Sequence, residues 1–91
     1  MFYLVCFDIS DNKVRTRIGN YLGAFGNRVQ ESVFEVEIAD TAALRYVQDK
    51  LGGWLSEGDD LRFYQVCQSC RQKSVNARHE RIAKLPSLVL L

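Results

Sequence analysis

The chain opens on Met1-Phe2-Tyr3-Leu4-Val5-Cys6-Phe7, an apolar run that ends at the single charge of Asp8. Its aromatic and β-branched content marks a central strand. Successive side chains of a strand point to opposite sides, so Tyr3, Val5 and Phe7 form one apolar face and Phe2, Leu4 and Cys6 the other. A strand apolar on both sides has to be covered on both. A carboxylate at the exit of such a strand is costly unless a metal, a partner or solvent stabilises it, which makes Asp8 a candidate for chemistry. The simpler reading is that Asp8 begins the turn Asp8-Ile9-Ser10-Asp11-Asn12 into a helix.

That helix is predicted to start from Ser10 as N-cap, because Val14, Ile18, Tyr21, Leu22 and Phe25 recur at helical spacing and Gly26 follows as a C′ residue. Asp40 is placed to cap a second helix with Leu44, Val47 and Leu51 on one face, closed by Gly52-Gly53, with Trp54 and Leu55 over its end. Between the helices, Val29 has odd parity while Phe34, Val36 and Ile38 have even parity, so one flat strand cannot bury all four. A break or bulge near Glu31-Ser32 divides the segment into two strands. With Leu61 to Cys67 as the last strand the order is β-α-β-β-α-β, an α+β ferredoxin-like sandwich in a single domain spanning residues 1–91.

Two helices cover one face of a four-stranded sheet, so the other face needs a partner. A self-complementary homodimer stacked sheet on sheet supplies it. The leucine-rich tail, residues 85–91, is expected to lie as an added edge strand on the partner protomer.

The net charge of +1 conceals an asymmetry. Glu31 to Asp60 holds eight acids and two bases, whereas Leu61 to Leu91 holds six bases and one acid, a distribution suited to meeting phosphate on one side. Solvated tails share the same pattern. No run approaches the roughly 20 apolar residues of a membrane span, and Met1 to Phe7 is too short for a secretory signal, so a cytoplasmic location without membrane attachment is expected. Three cysteines without a signal favour reduced thiols. Cys67-Gln68-Ser69-Cys70 has the spacing of half a zinc site, but no second pair completes it; two reduced cysteines at a strand end are the expectation, and His79 reads as a surface residue.

Phe7-Asp8-Ile9, Arg15-Thr16-Arg17-Ile18, Gly26 and Arg28-Val29-Gln30-x-Ser32-Val33-Phe34-Glu35 follow one another in a series. In order and spacing this series resembles the CRISPR-associated endonuclease family, the small subunit of the spacer-acquisition complex. The resemblance is dense over roughly the first forty residues, looser through Leu61 to Cys67, and weak from Ser69 on. It implies the ferredoxin-like fold, a homodimer and a CRISPR integrase as partner. It also implies Asp8 as metal ligand and catalytic residue, Arg15, Arg17 and Arg28 as contacts to an RNA or DNA backbone, and Ser32 and Phe34 in supporting roles.

Chemistry is compatible with that implication. One carboxylate per chain becomes two if a two-fold axis passes near Asp8, and Mg2+ takes one or two protein carboxylates with water and substrate phosphate completing its shell. Arg15 and Arg17, two apart, flank the Val14 and Ile18 stripe and point away from each other on a helix. Taken singly, each also reads as a solvated helix arginine, Phe34 as a core residue, and Ser32 as filling the strand break. Two functions of different class follow: a magnesium-dependent endonuclease acting on RNA or DNA, or a non-catalytic dimeric scaffold that holds DNA and bridges the integrase. A third, a ligand-binding regulatory domain, leaves Asp8 and the arginine series without a purpose.

Overall fold

In the computed structural model, which describes residues 1–84, the chain forms β1 (Phe2–Asp8), α1 (Asn12–Gly23), β2 (Gly26–Gln30), β3 (Val33–Glu37), α2 (Thr41–Gly52), β4 (Asp60–Gln65) and α3 (Gln68–Lys73). The four strands make one antiparallel sheet in the order β2-β3-β1-β4, the ferredoxin-like arrangement. The tail expected to add an edge strand lies outside the described residues.

The first strand is central, as its composition demands. Tyr3, Val5 and Phe7 meet Phe34 and Val36 of β3, Ile18 and Leu22 of α1, and Val47 and Leu51 of α2 in one core between the sheet and the two long helices. Each of the larger side chains contributes about 1.5–3 kcal/mol by leaving water. On the opposite face, Phe2 is buried as well, but there the cover comes from α3. The Arg71 guanidinium lies 4.2 Å from the Phe2 ring centroid, pairs with Glu37 at 3.6 Å, and donates to the Ala83 carbonyl at 3.1 Å. Leu4, Cys6 and Val33 on this face remain half-buried.

Several expectations need correction in detail. The N-cap of α1 is Asp11, not Ser10: Asp11 Oδ1 accepts from the backbone N–H of Lys13 at 2.8 Å and of Val14 at 3.1 Å. A carboxylate offers this pair of donors an ionised acceptor, which the neighbouring hydroxyl cannot. The helix stops at Gly23 with Ala24 as cap, so Gly26 is not its C′ residue. It opens β2, where the backbone runs so close to β3 that an added Cβ would collide with the Glu35 carbonyl. The break at Glu31-Ser32 is a two-residue turn with a bulge beside it between Arg28 and Gln30, and Val29 there is exposed while Phe34, Val36 and Ile38 are buried, so the four residues do not share a buried face. The last strand ends at Gln65, so Cys67 does not close a strand. It stands before α3, an element the sequence reading did not anticipate.

Candidate active site

β1 ends at Asp8, and the next residue, Ile9, turns inward and is buried, so Asp8 emerges exposed at the rim of the sheet. The turn that follows is held from two sides. From α1, Arg15 Nη1 donates to the carbonyls of Ile9 at 2.7 Å and Ser10 at 3.0 Å, while Nη2 donates to Asn12 Oδ1 at 2.7 Å. From the loop before β4, Asp59 accepts from the Ser10 N–H at 3.3 Å and from the Ser56 N–H at 2.8 Å. A guanidinium presents its donors as a rigid fork, so three acceptors from one turn fix the exit of β1 relative to α1.

Arg28 approaches from β2. Its register partner is Phe34, and its guanidinium lies 4.9 Å from the Phe34 ring centroid. Phe34 is itself buried and stacks on Phe7 at 6.1 Å, so the platform beneath the cation is part of the core. Gly19 of α1 leaves the slot through which this arginine passes, because a Cβ there would overlap Arg28 Nη2. Ser32 closes the far side, its carbonyl accepting from the Phe7 N–H at 3.1 Å. Asp8, Asn12, Arg15, Arg28 and Ser32 thereby line one open cleft of about 330 Å³.

Arg17 does not join them. Its guanidinium stacks on Trp54 at 4.0 Å, and Trp54 meets Tyr21 edge-on at 5.8 Å. The two-residue offset from Arg15 turns it to a different side of the helix. Gly19 and Asn12 went unnoticed in the sequence, since a helical glycine and a first-turn asparagine look unremarkable until their neighbours are known. Asp60 escaped for a related reason. The antiparallel register sets it directly opposite Asp8, and both line a second opening of about 280 Å³ with Arg62 and Tyr64. Asp60 pairs with Arg62 at 2.8 Å, and Arg62 donates to the Tyr64 hydroxyl at 3.4 Å. The expectation of a single carboxylate at the strand exit is therefore corrected to two acids on adjacent strands.

Among the described residues, no group of three or more His, Cys, Asp or Glu converges as a metal cage. Mg2+ takes one or two carboxylates and completes its shell with water and phosphate oxygens. The exposed Asp8 fits such a role.

The family model described as CRISPR associated protein Cas2 matches residues 1–74. The chain belongs to this family. It is 43% identical over 75 residues to CRISPR-associated endoribonuclease Cas2 1 of Chloroflexus aurantiacus, covering 80% of each chain, and 32% identical over 91 residues to CRISPR-associated endoribonuclease Cas2 4 of Rhodospirillum rubrum, covering 97% of this chain and 73% of the relative. Among solved structures, it is similar to a chain of a partial Cas6-RT-Cas1–Cas2 complex, with a TM-score of 0.82 and 31% identity over 92% of this chain and 98% of the other. Streptococcus pyogenes Cas2, at 24% identity and a TM-score of 0.74, covering 84% of this chain and 98% of that one, shares the fold. Among the described residues, no helix is long and apolar enough to cross a membrane.

Proposed function

We propose that this chain is a magnesium-dependent endonuclease of CRISPR adaptation, acting as a cytoplasmic homodimer on RNA or DNA backbones beside a CRISPR integrase. The observation that carries this reading is the cleft that an exposed carboxylate, Asp8, lines together with Arg28, next to a turn fixed by Arg15. The names of its relatives, endoribonuclease Cas2, support the reaction class. The half-buried Leu4, Cys6 and Val33 at the centre of the second sheet face support a sheet-on-sheet dimer, which would bring two copies of Asp8 toward one axis.

Each residue has a distinct part. Asp8 would hold the ion and Arg28 a phosphate oxygen of the substrate, with Phe34 and Gly19 setting the height of the guanidinium. Arg15 positions the turn that carries Asp8. When bound, Mg2+ supplies Lewis-acid polarisation of the phosphodiester and an acidified water. Arg28 in this reading meets a phosphate oxygen, so backbone contacts without base selectivity are expected.

A second reading has its own support. The chain similar to this one in the Cas6-RT-Cas1–Cas2 complex is matched over 98% of its length, and phosphate contacts serve a scaffold as well as a nuclease. Asp8→Asn separates the two, because it removes the ligand charge and keeps the side-chain shape. Cleavage of labelled RNA and DNA in Mg2+ is expected to fall by about 10²-fold or more in the variant, and chelator to have the same effect on the wild type. Undiminished cleavage by Asp8→Asn would take Asp8 out of the chemistry. A wild type that binds duplex DNA and cleaves nothing would leave the scaffold.

A further inference from the structure

The cleft makes no use of Cys67 and Cys70, although their placement is unlike that of two reduced cysteines at a strand end. Cys67 has an extended backbone, φ −69° and ψ 165°, immediately before α3, and its carbonyl accepts from the Arg71 N–H at 3.0 Å. One closed turn thus brings Cys70 back over Cys67. Residues three apart across one helical turn have Cα atoms about 5 Å apart, and a disulfide joins residues whose Cα atoms are about 4.4–6.8 Å apart. Both side chains are exposed. Cys67 Sγ also lies 3.4 Å from Ser69 Oγ.

These contacts make the pair chemically unequal. The hydroxyl of Ser69, then the thiol of Cys70, lower the pKa of Cys67 to about 7. Cys70 is raised, by the side chain of Cys67 and by the charge that Cys67 then carries. A thiolate near neutral pH beside a second thiol is the arrangement of an attacking and a resolving cysteine. Cys6, half-buried in β1, stands apart from both.

We propose that Cys67 and Cys70 form a redox-active dithiol that exchanges with low-molecular-weight disulfides to close an intramolecular disulfide. The Cys67 thiolate attacks one sulfur of the external disulfide, forms a mixed disulfide and releases one thiolate. Cys70 then gives its proton to water and attacks the Cys67 sulfur, expelling the second thiolate. The external disulfide is reduced to two thiols, the protein pair is oxidised by two electrons, and no other reactant is needed. The closed form would staple the first turn of the element that holds Arg71 over Phe2.

The test uses the full chain with glutathione disulfide, followed by N-ethylmaleimide and intact mass. The expected product has lost two hydrogens and carries maleimide only on Cys6, so that alkylated cysteines fall from three to one. Cys70→Ser should stop at a glutathione adduct on Cys67, and Cys67→Ser should react slower at pH 7 by on the order of tenfold. A wild type that keeps a glutathione adduct, or that joins two chains through a disulfide, would overturn the proposal. So would equal reaction rates for the wild type and both serine variants.

Discussion

Arg15 and Arg28 carry the same charge into one cleft but do different work there. Arg15 directs its donors into the protein, whereas Arg28 is exposed and lies over the Phe34 ring. Arg15→Ala is therefore expected to cost about 1–2 kcal/mol in a denaturant titration, since it leaves the Ile9 and Ser10 carbonyls without their charged donor. Arg28→Ala should cost about 0.5–1 kcal/mol through the lost contact with Phe34 and, in addition, lower the slope of log affinity against log salt on duplex DNA by about 0.9. A similar distinction applies to Glu35 on the second sheet face. Burial raises its carboxyl above the usual value, and the charge of Arg71 opposes this only in part. The folded state thus holds that proton more tightly than the unfolded chain does, so the contribution of Glu35 is fully present below the unfolded pKa and lost as pH rises through the folded one. Glu35→Gln should stabilise the protein at neutral pH and lose that advantage under acid, as melting temperatures across the range would reveal.

At the scale of elements, caps decide where helices start. Asp11 satisfies two N–H groups of α1, whereas the Ser10 hydroxyl engages none of the donors there. Asp11→Ala is expected to cost about 1 kcal/mol, and Ser10→Ala to stay within about 0.5 kcal/mol; equal losses in chemical denaturation would reassign the cap. Asp40, the cap of α2, was legible in advance because Leu44, Val47 and Leu51 leave only one register for the helix that follows. No such periodicity announces α3. Its six residues, Gln-Ser-Cys-Arg-Gln-Lys, bury nothing completely, and its place is set by Arg71 reaching Phe2 and Glu37 across the sheet. Short polar helices of this kind exist through tertiary contacts, which a sequence window does not contain.

For the whole molecule, the consequence of a first strand apolar on both sides is association. With α3 over Phe2 only, Leu4, Cys6 and Val33 leave a central strip of the sheet half-exposed. Sedimentation of the 10.4 kDa chain at micromolar concentration should give twice that mass, and replacing Leu4 by Lys should return the monomer.

The sequence by itself determined the order β-α-β-β-α-β, the central position of β1, the parity break between Arg28 and Val33, and Asp8 as the charge at the strand exit. All of these follow from local pattern: period, parity, and the composition of a run. Tertiary structure alone decided that Arg15 and Arg28 share the Asp8 cleft while Arg17 stacks on Trp54, that Gly19 makes room for Arg28, and that Asp60 stands opposite Asp8. Each of these joins residues from different elements, and the register of β4 on β1, the packing of α1 against β2 and the stacking of side chains are set by the core as a whole, so no stretch of the chain carries them in its own spacing.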